Sequence, residues 1–322
     1  MNPVDFFRSQ FKKLPYPTED CAGRTVIVTG SNVGLGLEAA RHFVRLNAAK
    51  VILAVRSTEK GEAAKTNIEL TTGRRGVIEV WPLDQLSFDS VKAFAARADK
   101  LPRLDYALLN ASISTNLRAD AEGWESSLTV NVLSTFLLGL KLLPVLRRTE
   151  QTHNVTPKLV IVASEASQLA KFRECNAEDI YKALNANKSL WDRYNTTKLM
   201  QVILARQMAI ATDASGKGRV QVTTLNPGLC STELFRHIPF PFTVILKVVM
   251  KLIARSPEVG SRCLMAAAFA GEEAHGRYMS DCAVVEFPKI MQGEEGEQMQ
   301  ERLWAETIEI LNGVDPGVST NL

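Results

Sequence analysis

The side chains best placed for acid–base chemistry are Tyr194 and Lys198, the ends of the run Tyr194-Asn195-Thr196-Thr197-Lys198. On a helix, positions i and i+4 share a face, so the phenol and the ammonium group would lie side by side. A free phenol titrates near pH ~10, too high for proton exchange at neutral pH. A neighbouring cation stabilises the phenolate and lowers this pKa, which suits carbonyl and alcohol chemistry. Two residues on a solvated helix face would show the same spacing, so the surrounding motifs must distinguish a catalytic pair from surface residues.

A glycine-rich loop lies upstream and reads Thr29-Gly30-Ser31-Asn32-Val33-Gly34-Leu35-Gly36. Residues 24–28 before it have the β-branched composition of a buried strand, and 37–46 after it have helical apolar spacing. A strand, a glycine turn and a helix form a dinucleotide-binding unit, because glycines admit the pyrophosphate and the helix N-terminus offers free N–H groups. An ordinary glycine turn is the alternative, and these flanks disfavour it.

The glycine spacing and the motifs after it resemble the short-chain dehydrogenases/reductases. The further matches occur in the family's order at Asp84, Asn110-Ala111-Ser112, Asn131, Ser164, Tyr194 with Lys198, Asn226-Pro227-Gly228 and Thr232. Ser112 departs from the pattern, since the family has glycine at that place. The resemblance covers most of the chain and implies an NAD(P)-dependent oxidoreductase.

Alternating strand and helix patterns predict an α/β fold with one doubly wound (Rossmann) parallel sheet and helices on both faces. Further strands are predicted at 50–55, 76–82, 105–109, 158–163, 221–225 and, as an edge, 282–287. Helices are predicted at 57–70, 87–98, 122–148, 190–211 and 258–270. Residues 1–20 form an N-terminal extension that we expect to pack on the domain, and 21–322 form a single NADP-binding domain. The candidate site residues follow strand ends on one sheet edge, where such folds bind ligands.

Arg56, at the end of the second strand, indicates whether the cofactor is NAD or NADP(H). An acidic residue there would favour NAD, whereas a guanidinium suits the 2′-phosphate of NADP(H). Solvent exposure at the start of the next helix is the alternative for Arg56. The predicted cofactor-binding residues, most of them by resemblance, are Gly30, Ser31, Asn32, Gly34, Leu35, Gly36, Arg56, Asp84, Asn110, Ala111, Tyr194, Lys198, Pro227, Gly228 and Thr232. Asp84 would contact adenine, and it is also a candidate helix cap.

The expected catalytic residues follow from charge development. Hydride delivery to a carbonyl leaves negative charge on oxygen, so a donor must meet that atom. By resemblance Tyr194 donates the proton, Ser164 holds the same oxygen, and Lys198 lowers the pKa of Tyr194 and binds the nicotinamide ribose. Asn131 would anchor a water that links Lys198 to solvent; a local backbone bond is its alternative.

Two further features indicate the branch of the family. Tyr194 follows Ser164 by thirty positions, about twice the usual family spacing, which resembles the retinol-dehydrogenase-like group and related fungal natural-product reductases. Tyr181 in the insertion is a rival proton donor, but Asn185 four residues later supplies no cation. The other feature is an apolar substrate lid at about 229–257, which implies a hydrophobic substrate. Lys247 and Lys251 leave a membrane contact open, although packing is favoured.

Composition excludes several classes of partner. The net charge of +3 and 23% charged residues do not predict nucleic-acid binding. The five scattered cysteines lack metal-like spacing, so we predict no metal and reduced thiols in a cytoplasmic protein. Residues 1–20 are too polar for a signal peptide, and no uncharged apolar run approaches ~20 residues.

The sequence therefore predicts an NADPH-dependent oxidoreductase that interconverts a ketone or aldehyde and an alcohol on a hydrophobic metabolite, in secondary metabolism. Enone or aromatic-ring reduction or epimerisation with the same cofactor is one alternative, and a non-catalytic dinucleotide-binding scaffold is another. The oligomeric state stays open, because members of the family are often dimers or tetramers through the long helices while this branch also has monomers.

Overall fold

A mostly parallel β-sheet forms the centre of the protein, for which a computed structural model describes residues 3–232 and 253–322. The strands are β1 (Thr25–Thr29), β2 (Lys50–Val55), β3 (Ile78–Pro82), β4 (Tyr106–Leu109), β5 (Asp120–Ala121), β6 (Trp124–Glu125), β7 (Lys158–Val162), β8 (Gln221–Asn226), β9 (Tyr278–Ser280) and β10 (Ala283–Val285). Within these residues, eight strands form one sheet in the order β3-β2-β1-β4-β7-β8-β9-β10. All neighbours are parallel except β9 and β10, which form an antiparallel edge.

The helices are α1 (Pro3–Gln10), α2 (Gly34–Arg45), α3 (Thr58–Thr72), α4 (Phe88–Ala98), α5 (Ser126–His153), α6 (Ile180–Ala186), α7 (Arg193–Ser215), α8 (Pro257–Phe269) and α9 (Gly293–Val314). Ser57, Ser87 and Ser256 cap α3, α4 and α8, since each side chain accepts a backbone N–H of the first turn. These side chains are the local signals that start the helices.

Both faces of the sheet are buried, as a parallel sheet requires. On one face, apolar residues of β1 such as Val26 and Val28 pack with α2, α3 and α8. On the other face, Ile27 and its neighbours pack with α4, α5, α7 and α9. The α/β, doubly wound fold class predicted from the sequence is confirmed.

The long helix α5 begins later than predicted. Residues expected to start it at 122 instead form the β5–β6 hairpin, because Glu122 (φ 55°) and Gly123 (φ 83°) take left-handed turn conformations. The helix then contains a π-helical turn over Thr129–Ser134. Its apolar stretch is long enough to span a membrane, but 89% of that stretch is buried against the rest of the fold. In this structure α5 is therefore a core helix.

Helices at the two ends of the chain complete the fold. The expected packing of the N-terminal extension is confirmed for α1, since Gln10 is buried and its side chain exchanges hydrogen bonds with the backbone of Leu229. The boundary at residue 20 stays a prediction. The sequence prediction missed α9 and the short strand β9. The predicted lid is described only at Leu229–Thr232 and from residue 253 onward, and the rest lies outside the described residues.

Candidate active site

One cavity of about 1080 Å³ opens where the strands of the sheet end. It is lined by predicted site residues from the segments that follow five strands and from helix α7: Gly30, Asn32, Gly34, Leu35, Arg56, Asn110, Ala111, Ser164, Tyr194, Lys198, Pro227, Gly228 and Thr232. These loops follow β1, β2, β4, β7 and β8, which are parallel and in register. The topology therefore brings together residues that are distant in sequence.

The glycine loop is shaped for close backbone approach. Gly30 has φ +64°, and a Cβ there would lie 3.0 Å from Ala111. A Cβ on Gly36 would lie 2.6 Å from Nδ2 of Asn110. Both positions thus require glycine. At the start of α2, Val33 supplies no side-chain cap, so the first N–H groups of the helix are left for another acceptor. Such a turn fits the pyrophosphate of a dinucleotide.

Some predicted cofactor residues hold the loop instead of lining the cavity. Asn110 contributes to the wall, but its Nδ2 donates to the carbonyls of Thr29 (3.0 Å) and Gly30 (3.3 Å). Ser31 is buried, and its hydroxyl donates to the carbonyl of Val28 at 2.8 Å. Asp84 accepts the N–H of Leu86 at 3.0 Å in the turn before α4, and the helix cap considered for Asp84 is supplied by Ser87 instead. The lining residues do not include Ser31, Gly36, Asp84 or Asn131.

Ser164 and Tyr194 meet on the cavity wall. Burial raises the Tyr194 pKa to about 12 and outweighs the effect of the neighbouring Ser164 hydroxyl, which favours the ionised form. The backbone carbonyl of Ser164 accepts the hydroxyl of Tyr278 at 3.4 Å. Tyr278 was not singled out from the sequence, because only the late β9 strand places it beside this loop.

Lys198 is buried at the floor of the cavity. Its Nζ donates to Ser112 Oγ (2.7 Å), to the carbonyl of Val162 (2.8 Å) and to Gln201 Oε1 (3.0 Å). Burial lowers the pKa of Lys198 to about 7. Nζ lies 5.7 Å from the centre of the Tyr194 ring. The family's usual glycine would supply no hydroxyl at position 112, so this chain has an additional acceptor for Lys198.

The expected lowering of the Tyr194 pKa by Lys198 is not observed. The ammonium group is directed to Ser112, Val162 and Gln201, while the phenol sits in an environment that disfavours the phenolate. Tyr194 is therefore held in its protonated form at neutral pH. A protonated phenol is the form that donates a proton to a developing alkoxide.

Asn131 joins two of these segments from within the π-helical turn. Its side chain accepts the N–H of Ile113 at 2.8 Å and donates to the carbonyl of Ile113 at 2.9 Å. It also donates to Thr197 Oγ1 at 3.1 Å. The backbone carbonyl of Asn131 accepts Nε2 of Gln201 at 2.7 Å. Gln201 was not predicted, although it stands three residues after Lys198 on the same helix.

Tyr181, the rival proton donor, lies outside the site. It is fully buried, its hydroxyl is hydrogen-bonded to Thr307 at 2.8 Å, and burial raises its pKa. Its ring packs against Trp124. In the described ranges, no cluster of three or more His, Cys, Asp or Glu side chains could hold a metal ion. The five cysteines are free thiols.

Comparison with known proteins agrees with this arrangement. A family model described as short chain dehydrogenase matches residues 24–176. The short chain dehydrogenase/reductase dmxR8 of Cryptosporiopsis sp. is 44% identical over 327 residues, which cover 99% of this chain and 100% of that protein. The short chain dehydrogenase atnD of Emericella nidulans is 45% identical over 281 residues, covering 86% of this chain and 90% of that protein.

Solved structures share the fold. An uncharacterized protein from Mycobacterium paratuberculosis has a TM-score of 0.67 and 25% identity, covering 92% of this chain and 96% of that one. The Pseudomonas aeruginosa RhlG/NADP active-site complex has a TM-score of 0.59 and 23% identity, covering 83% of this chain and 96% of that one.

Proposed function

This chain belongs to the short-chain dehydrogenases/reductases and is an oxidoreductase of that family, and we propose that it uses NADP(H) to interconvert a ketone or aldehyde and an alcohol on a hydrophobic metabolite. The observation that carries this proposal is the meeting of Ser164, Tyr194 and Lys198 with the glycine loop on one cavity. A protein that only bound the dinucleotide would have no use for all three side chains.

The preference for NADP(H) rests on Arg56. Its exposed guanidinium follows β2 and lines the same cavity as Gly30, Asn32 and Gly34. A planar guanidinium binds a phosphate through paired hydrogen bonds and offers nothing comparable to a bare ribose hydroxyl. The fold neighbour RhlG is described as an NADP complex, which supports the same choice.

Ser164, Tyr194 and the cofactor have separate roles in the proposed reaction. The cofactor, when bound, supplies or accepts the hydride. Ser164 holds the carbonyl oxygen of the substrate, and Tyr194 donates its phenolic proton to that oxygen as negative charge develops. The Lys198 ammonium group lies beside them, with Nζ 5.7 Å from the centre of the Tyr194 ring. In the direction of alcohol oxidation, Tyr194 would accept the same proton from the alcohol.

The substrate class follows from the cavity wall. Apolar side chains contribute much of it, including Val33, Leu86, Ile113, Leu117 and Leu229. A cavity of about 1080 Å³ leaves room for a bulky apolar molecule beside a cofactor. The fungal relatives support a role in secondary metabolism.

The testing experiment titrates the purified protein with NADPH and with NADH and follows binding by calorimetry. We expect NADPH to bind at least tenfold more tightly, because an arginine–phosphate pair is a charge-assisted contact worth about 1.5–3 kcal/mol. Arg56→Ala should remove most of this difference, while Arg74→Ala, which changes an arginine that does not line the cavity, should retain it. If neither cofactor binds, the oxidoreductase proposal fails.

A further inference from the structure

The ammonium group of Lys198 is fully provided with acceptors by this chain. An ammonium group has three N–H donors, and Ser112 Oγ, the Val162 carbonyl and Gln201 Oε1 accept from it at 2.7, 2.8 and 3.0 Å. Lys198 itself is 2% exposed. Of the three acceptors, Ser112 and Val162 also line the cavity, whereas Gln201 does not.

Gln201 connects Lys198 to the π-helical turn of α5. Its Oε1 accepts from Lys198, and its Nε2 donates to the Asn131 carbonyl at 2.7 Å. Gln201 is 0% exposed. The same Asn131 side chain holds Thr197, the neighbour of Lys198, and Ile113, the neighbour of Ser112. A hydrogen-bond network therefore surrounds Lys198, and among the described residues Gln201 is the bridge between the ammonium group and the Asn131 carbonyl.

We propose that Gln201 is a positioning residue that replaces a bridging water between Lys198 and Asn131 and so fixes the ammonium group for catalysis. This proposal rests on the proposed function. A side-chain amide donates at one end and accepts at the other, so it satisfies both partners as a water would. Unlike a water, the amide does not pass a proton from one of its partners to the other. The Ser112 hydroxyl is then the side-chain contact of Lys198 on the cavity side.

Two substitutions at position 201 separate this role from simple packing. Gln201→Met fills nearly the same volume but makes neither hydrogen bond. Gln201→Ala opens a polar space beside Lys198 and the Asn131 carbonyl, which a water can occupy. We therefore expect Gln201→Met to lower kcat by about tenfold to a hundredfold, because a misplaced catalytic group costs that much. Gln201→Ala should keep a clearly higher kcat than Gln201→Met, with a pH–rate profile closer to that of the native protein.

The matched controls are Gln300→Met and Gln300→Ala. Gln300 is equally buried, and its amide binds the carbonyls of Met291 and Gly296, away from the cavity. Both controls should leave kcat and its pH profile unchanged even where they reduce stability. A packing role alone predicts the opposite order at position 201, with alanine worse than methionine. That order, or an equal loss of kcat in the Gln300 variants, overturns the proposal.

A crystal structure of cofactor-free Gln201→Ala tests the proposal without any turnover. We expect an ordered water within hydrogen-bond distance of both Lys198 Nζ and the Asn131 carbonyl. A dry cavity, or a Lys198 side chain turned away from Asn131 in a structure that is otherwise unchanged, refutes the replacement. If no ketone is reduced by the native protein, the proposed function fails, and this structural result still decides the role of Gln201.

Discussion

At the scale of single residues, the protonation states of Tyr194 and Lys198 carry the chemistry. Burial raises the pKa of Tyr194 to about 12, so the phenol enters the reaction protonated. Tyr194→Phe removes only the hydroxyl, and we expect ketone reduction to fall by about 10²–10⁴-fold, the usual contribution of a general acid. NADPH affinity should change little in the same titration. Tyr181→Phe, which removes a buried hydroxyl outside the cavity, is the matched control. Equal activity in the Tyr194→Phe and native proteins would exclude the assigned role.

The lowered pKa of Lys198 leads to a prediction about the pH dependence of stability, which can be tested without a substrate. Its folded pKa is about 7, below the value of ~10.4 for an unfolded chain. Between these pH values the unfolded state binds more protons than the folded state, so this residue makes stability rise with pH. We expect Lys198→Met to lose a slope of up to roughly 1 kcal/mol per pH unit in the unfolding free energy between pH 7 and 10. Urea unfolding at a series of pH values measures it, with Lys188→Met at an exposed lysine as control. If the unfolding free energy of Lys198→Met and of the native protein changed equally with pH, a lowered pKa of Lys198 would be contradicted.

At the scale of helices and strands, the elements that a local sequence pattern encodes could be predicted. The residues that hold the site through tertiary packing could not. The strand at Lys50–Val55 and the glycine turn after β1 agree with the sequence patterns, because each is locally encoded. Helix α9 was missed although Met299, Leu303, Thr307 and Leu311 recur every four residues. The glycines and glutamates at its start hide that period. Gln201 could not be predicted for a different reason: its hydrogen bond to Asn131 depends on the packing of α7 against the π-helical turn.

Helix α1 stabilises the start of the predicted lid. Gln10 Nε2 donates to the Leu229 carbonyl at 2.5 Å, and Gln10 Oε1 accepts the Leu229 N–H at 3.1 Å. Leu229 and Phe6 both line the cavity. We expect Gln10→Ala to lower the unfolding free energy by about 1–2 kcal/mol, because two backbone groups lose their partner. Urea unfolding checks this against Gln298→Ala, which changes an exposed glutamine of α9. An unchanged midpoint would show that α1 contributes nothing to this loop.

At the scale of the whole molecule, the C-terminal segment of the chain covers the long helix α5. The C-terminal segment after α9 packs on α5, where Lys141 pairs with Asp315 at 2.5 Å and the guanidinium of Arg147 donates to the carbonyl of Asn321. Val318 from the same segment is buried in the core that α5 contributes to. A helix covered in this way has little apolar surface left for a second copy of the chain, although the long helices join subunits in many family members.

We therefore predict that the protein is a monomer in solution. Light scattering of the full-length chain should give a mass near 35.5 kDa. A variant that ends at Asp315 loses Val318 and the carbonyl bound by Arg147, which uncovers the apolar side of α5. We expect this variant to self-associate, because an exposed apolar patch favours burial between copies. A full-length dimer would mean that subunits meet on another surface or displace the C-terminal segment. A truncated chain that stays monomeric would mean that the segment is not what prevents association through α5.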